Sequence, residues 1–226
     1  MIIALDLDGT IYDEGIGLYP SARKVFSLLK DHRVYIITDR VETREHVSRR
    51  INHLIKPDYI LTPVFISRTI VSKYKTFYAI ANKEFISVLS QYSKFSEKAE
   101  VVFVGFTRKL TFKSLTCAFH NLINGADFYV TSLDKAYLSN NELVPGTGYI
   151  VASLEYISGK KPNVLGKPSP NYLNYIFKRE SIKSKDVVVI GDNPETDGKI
   201  AKNKGVDYLH VDKHNILDKI KHYLKK

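Results

Sequence analysis

MIIALDLDGTIY, residues 1–12, is the stretch from which the rest of the chain can be read. Residues 2–5 form an apolar, branched run with the length of a buried parallel strand, and it runs directly into Asp6 and Asp8, followed by Gly9 and Thr10. Residues two apart on an extended chain point to the same side, so both carboxylates can face one ligand, while Gly9 permits the sharp turn that has to follow. Two acids held this close repel each other unless a cation or a proton intervenes. A divalent metal with oxygen ligands, bridging a carboxylate and a phosphate, is the simplest relief. The same residues also suit a solvated turn after a strand, so partners further along have to decide between the two.

At 226 residues and 44% hydrophobic content, the chain can build one large domain or two small ones around a proper core. Its single cysteine, Cys117, excludes an internal disulfide and fits a reducing compartment; its apolar neighbours make it a packing residue. No basic leader precedes Ile2, and no apolar stretch approaches the ~20 residues of a membrane span, so the expected location is the cytoplasm, with no membrane association. The 34 Lys+Arg against 24 Asp+Glu give a net charge of +10, which suits either nucleic acid or anionic metabolites. The basic residues are scattered, with small clusters at Arg49 and Arg50, Lys160 and Lys161, and Lys225 and Lys226, and no nucleic-acid module accompanies them. Dispersed lysines read as solvated surface, so nucleic acid is not the expected partner.

In chain order, a helical pattern over 21–30 follows the first strand, then a second apolar run over 34–37 ends on Thr38, Asp39 and Arg40. A helix is expected over 43–56, closing before Pro57, and a short strand over 59–61. From about residue 64 the pattern changes. Strands are expected over 76–81, 101–104 and 127–131, with helices over 83–92 and 111–124, the latter stopping at Gly125 with His120 at its surface. A loop to Pro145, a Gly146-Thr147-Gly148 turn and a helix ending near 158 complete this part. The closing section goes back to the opening alternation of strand and helix. It holds Gly166-Lys167-Pro168, a helix over 170–179, a strand over 187–190 ending on Gly191-Asp192, then Pro194, Thr196 and Asp197, a helix to 204, a strand over 208–211 and a basic terminal helix. Residues 1–62 and 163–226 are therefore expected to build one doubly wound α/β core, with 63–162 inserted into it.

Three apolar strands thus end in polar residues: Asp6 with Asp8, Thr38, and Asp192. In open α/β sheets ligands bind beyond the carboxyl ends of the strands, so these tips can converge although they lie far apart in sequence. Carboxylates, a hydroxyl and a lysine gathered at one point suit phosphoryl transfer, which consists mainly of positioning and of neutralising charge on the transferring oxygens.

DLDGT at Asp6–Thr10, the strand-end Thr38, GKPSP around Lys167 and GDNPETD from Gly191 to Asp197 resemble, in order and spacing, the four motifs of the haloacid dehalogenase superfamily phosphatases. VGFTRKLTF, NGADFYVTSLD and PGTG in the middle extend the resemblance to the NagD-like or para-nitrophenyl phosphatase group, with a type IIA cap, over nearly the whole chain. The resemblance implies a Rossmann-like core with an inserted α/β cap, and hydrolysis of a small phosphorylated metabolite. Asp6 would attack phosphorus and form an aspartyl-phosphate, while Asp8 would protonate the leaving oxygen and then take a proton from water. Magnesium would be held by the Asp6 carboxylate, the Asp8 carbonyl and Asp192, with Asp197 acting behind them or through water. Asp8, Gly9, Thr38, Asp39 and Lys167 would bind the phosphate, and the family often forms homodimers through the cap.

This chain also departs from the family pattern. Asp39 and Arg40 follow Thr38 where the family has Asn-Asn, and an extra anion beside a phosphate pocket calls for a pairing cation, from Arg40 or elsewhere, that would reshape specificity. Ser132 stands for a common Asn, Phe106-Thr107 for Leu-Asp, and Gly198 for an apolar residue. Two other functions use the same residues. A phosphotransferase or phosphomutase would pass the aspartyl-phosphate to an alcohol, and a non-catalytic module would bind a phosphorylated ligand or nucleic acid without turnover.

Overall fold

The computed structural model describes residues 1–139 and 142–225. Among these, strands β1 (Ile2–Asp6), β2 (Arg33–Ile37), β3 (Ile60–Leu61), β4 (Thr76–Ile80), β5 (Lys94–Phe95), β6 (Val101–Val104), β7 (Asp127–Val130), β8 (Asn163–Val164), β9 (Val187–Gly191) and β10 (Asp207–His210) form two parallel sheets. Contacts divide the chain into two units. One comprises Met1–Thr38, Thr43–Thr62 and Lys167–Lys226, and the other Asp39–Glu42 with Pro63–Gly166.

In the first unit the spatial order is β10-β9-β1-β2-β3, every pair parallel, with Ile2 opposite both Val187 and Arg33. β1 and β9 are buried throughout, as strands covered on both faces must be, which is why they read as unbroken apolar runs. Ile3, Leu5, Val188 and Ile190 pack with Val25, Leu29, Ile216 and Ile220 from helices on the sheet. The order reverses between β1 and β9, and this switch point is where a doubly wound sheet opens a crevice for a ligand. Asp6 and Asp192 stand at those two strand ends.

The inserted unit repeats the principle with the order β5-β4-β6-β7-β8. Tyr78, Ile80, Val102, Val104, Phe128 and Val130 pack against Ala118, Leu122, Ile150 and Leu154 of helices Phe112–Ile123 and Gly148–Ser158. Thr111 and Ser114 form a capping box at the start of the first of these helices, and Gly125, at φ +100°, follows its end.

Several elements differ from the sequence expectation. The helix expected over 43–56 is Arg44–Arg50, because Asn52 and His53 turn to positive φ and the Ser48 hydroxyl then holds the Ile55 carbonyl. A helix, Pro63–Val71, occupies the segment where the sequence shows only a change of pattern; six of its nine residues are buried, which hides the usual amphipathic signal. The loop expected up to Pro145 contains paired strands Ala136–Ser139 and Glu142–Pro145, with residues 140 and 141 outside the description, as is Lys226. The second unit runs to Gly166 rather than to 162, because Asn163–Val164 pairs with β7, and it also includes Asp39–Glu42.

Candidate active site

Each polar residue expected at a strand end is positioned by the buried strand before it. Asp6 is only 3% exposed at the end of β1. Its Oδ1 accepts from Lys167 Nζ at 2.5 Å, and its Oδ2 accepts from the Thr10 hydroxyl at 2.8 Å. Lys167 Nζ also donates to Asp197 Oδ1 at 2.8 Å, so one buried lysine bridges two buried acids. Thr10 Oγ1 lies 3.3 Å from Asp192 Oδ1 as well; its single proton serves two carboxylates at the ends of adjacent strands.

Asp8 is half-buried, and its Oδ2 accepts from the Thr38 hydroxyl at 3.2 Å. Thr38 is fixed through its backbone: its N–H donates to the Leu61 carbonyl, 3.1 Å, and its carbonyl accepts from the Tyr172 hydroxyl, 2.9 Å. Gly9 adopts φ +83°, and the Asp192 carboxylate packs so closely on its α-carbon that no side chain fits. The Gly9 N–H donates to the Tyr12 carbonyl at 2.9 Å, so what Gly9 supplies here is the turn and the close approach. Asp197, fully buried in the wide turn Pro194–Gly198, accepts on Oδ2 from the Asn193 N–H at 3.2 Å.

Asp6, Thr10, Lys167, Asp192 and Asp197 are thus linked to one another, and Asp8 to Thr38, all within the first unit. Asp39 groups with the second, where its carboxylate packs on the Gly166 α-carbon; Arg40 reaches Glu42 at 3.2 Å. Thr10 and Tyr172 are site residues that sequence reasoning leaves unassigned. Thr10 has a signal, a hydroxyl two residues after the second acid. Tyr172 has none, since a tyrosine on an amphipathic helix reads as packing.

Burial pushes the Asp6 carboxyl up to about 6; Lys167 opposes this and the Asp197 charge reinforces it. Asp192 is also raised, by burial first and then by Asp6. Oxygens of Asp6, Asp192 and Asp197 all lie within 4.8 Å of one another. Three carboxylates against one lysine leave an excess of negative charge on hard oxygen donors, and this donor set fits a small divalent cation such as magnesium.

Comparison with known proteins points the same way. Residues 1–205 match the haloacid dehalogenase-like hydrolase family. An acid sugar phosphatase from Staphylococcus haemolyticus is 26% identical over 219 residues, 92% of this chain and 83% of that protein. Among solved structures, a 4-nitrophenylphosphatase from Thermotoga maritima superposes with a TM-score of 0.83 at 25% identity, covering 92% of this chain and 84% of that one. NagD from E. coli K-12 does so with 0.82 at 23% identity, covering 93% and 86%. A family match that spans both units, on a fold shared with NagD and the nitrophenyl phosphatase, makes this chain a member of the haloacid dehalogenase-like hydrolases and one of their phosphatases.

Proposed function

We propose that the chain is a magnesium-dependent phosphomonoester hydrolase that works through an aspartyl-phosphate on Asp6. The observation that carries this reading is the Lys167 ammonium, buried and bonded to both Asp6 and Asp197, with the Asp192 carboxylate alongside. Asp6 has to be ionised to attack, yet burial alone favours its neutral form; Lys167 counters that and offsets charge on the incoming phosphoryl group. An Asp6 oxygen forms the new bond to phosphorus as the ester P–O bond breaks, and Asp8 passes its proton to the leaving oxygen. Water then attacks the aspartyl-phosphate, Asp8 takes the water's proton, and inorganic phosphate leaves with Asp6 restored. Thr38, held through its backbone by Leu61 and Tyr172, would turn its hydroxyl from Asp8 to a phosphoryl oxygen when substrate binds. Asp6, the Asp8 carbonyl and Asp192 would hold magnesium, and Asp197 would orient Lys167 behind them. When bound, the ion neutralises charge on the phosphoryl oxygens and fixes their orientation. Ionised Asp39 offers a phosphate no side-chain donor, so any part it takes in binding falls to its backbone.

The substrate class is a small phosphorylated metabolite, and the Staphylococcus relative makes sugar phosphates the first to try. Phosphate release across sugar, glycerol, nucleotide and aryl phosphates with Mg2+, with Asp6→Asn as the blank, tests the assignment. Full turnover by that variant would remove Asp6 as nucleophile. Adding acceptor alcohols distinguishes hydrolysis from phosphotransfer, because a transferase yields a new phosphoester in place of free phosphate. No helix among the described residues is long and apolar enough to cross a membrane. The proposed setting is the cytoplasm, on the strength of the single cysteine, which suits a reducing compartment. Phe112, 86% exposed, and Tyr156, 91% exposed, on neighbouring helices of the inserted unit support homodimerisation through that unit. Light scattering of the Phe112→Ser, Tyr156→Ser double variant checks this, with a monomer expected.

A further inference from the structure

The loop that carries Asp192 is held on its far side by the adjacent strand. β10 ends at His210, whose register partner on β9 is Gly191. Tyr208 and His210 are two apart on β10 and share a face, and their rings stack with centroids 6.0 Å apart at 27°. The Tyr208 hydroxyl donates to the Gly191 carbonyl at 3.2 Å, and His210 Nε2 lies 2.9 Å from the Asp192 carbonyl. A carbonyl oxygen can only accept, so Nε2 carries the proton in this contact. The Val211 N–H adds a bond to the Gly191 carbonyl at 3.0 Å, and Lys219 Nζ holds the His210 carbonyl at 2.7 Å.

The near side is fixed too. The Asn193 N–H donates to Asp197, and the Asp197 carboxylate fills the space where a Gly191 side chain would stand. With the peptide units on both sides of Asp192 held, the Cα–Cβ bond from which its carboxylate projects is fixed in direction, and the Thr10 hydroxyl meets the carboxylate from the other side. Gly198 belongs to the same arrangement: a methyl group there would meet Tyr208 Cε1 at 3.2 Å. The glycine that departs from the family's apolar residue makes room for the tyrosine ring.

We propose that Tyr208 and His210 are positioning residues which, by holding the carbonyls of Gly191 and Asp192, aim the Asp192 carboxylate at the cation and so set divalent-metal affinity. This rests on Asp192 being a metal ligand. Neither residue touches substrate.

The test is direct titration of the purified full chain with Mn2+, read from the electron paramagnetic resonance signal of the free ion, without substrate. His210→Phe keeps a ring on Tyr208 and removes the donor; His210→Gln keeps a donor of similar reach; Tyr208→Phe keeps the ring and removes the hydroxyl. Partners behind a ligand are worth about 10–100-fold in affinity, and the exposure of His210 sets its share at the low end, so His210→Phe should weaken Mn2+ about tenfold, and Tyr208→Phe by less, because the Gly191 carbonyl keeps the Val211 N–H. His210→Gln should stay within about twofold of the parent, and the metal-free melting temperature of all three should be unchanged. Asp192→Asn should bind about 100-fold more weakly or not at all. If Asp192→Asn loses the ion while His210→Phe and Tyr208→Phe keep parental affinity, positioning is wrong and the ligand assignment stands. If Asp192→Asn binds normally, both are wrong. A loss in His210→Phe that His210→Gln does not restore would make the role one of packing and overturn the proposal.

Discussion

Lys167 shows how much one side chain can decide. Its ammonium is buried and donates to Asp6 at 2.5 Å and to Asp197 at 2.8 Å, so it both holds the proposed nucleophile in place and opposes the burial that pushes the Asp6 carboxyl up to about 6. Lys167→Met keeps the volume and removes the charge. With burial and the Asp197 charge then unopposed, Asp6 should titrate higher still. That rise belongs to the metal-free protein, where the pH dependence of stability measured in EDTA reads it, and in the magnesium-loaded protein the maximum of kcat/KM should fall by about 100-fold or more, as for other losses of preorganised charge at a reacting centre. Denaturant titrations across pH and turnover of an aryl phosphate check the two; parental kcat/KM in Lys167→Met would remove the lysine from the reacting centre.

Between elements, helix Asn171–Glu180 is tied to β2 through one carboxylate. Glu180 accepts from the Arg33 guanidinium and from the Tyr35 hydroxyl, and its side chain is 8% exposed. Burial raises its pKa, but the bonds from Tyr35 and Arg33 outweigh burial and the net shift is downward. A carboxyl lowered on folding adds stability above its unfolded pKa and gives it up as pH falls through the lower folded value. Glu180→Gln should therefore cost about 1–3 kcal/mol at pH 7 and much less near pH 3, as read from urea midpoints. The loss should leave Asp6 chemistry alone, since Glu180 is bonded to β2 rather than to the strand ends that carry the site.

At the scale of the whole molecule, a core with clustered carboxylates should be stabilised by whatever neutralises them. Magnesium at 100 times its dissociation constant should raise unfolding stability by about 2.7 kcal/mol, reversed by EDTA and absent in Asp192→Asn; calorimetry with and without the ion measures it. Without metal, Asp6 behaves oppositely to Glu180. Its folded pKa is raised, so its contribution is fully present below about pH 4 and is lost as pH rises through about 6. Asp6→Asn should thus look more favourable relative to the parent at pH 7.5 than at pH 5, by roughly 1 kcal/mol, in denaturant titrations run in EDTA.

Much of this was legible in the chain itself. DLDGT, Thr38 and Asp192 marked the candidate site because polar residues directly after buried apolar runs stand at strand ends whatever the details of packing, while Lys167 and Asp197 were assigned through the resemblance of their motifs. Helix Pro63–Val71 was hidden because a helix buried nearly all round has no amphipathic face to betray its period, and the turn at Asn52 and His53 because Leu54 and Ile55 continue the apolar spacing of the helix past two residues whose positive φ, held by local bonds from Ser48, that spacing does not show. Local pattern and the order of motifs determined the fold class, the family and the acids at the strand ends. Only the tertiary structure decided that Lys167 bridges Asp6 and Asp197, that Thr10 spans two strands, and that Tyr208 and His210 stand behind Asp192. Such contacts join residues up to 182 positions apart, and no period along the chain encodes a distance across it.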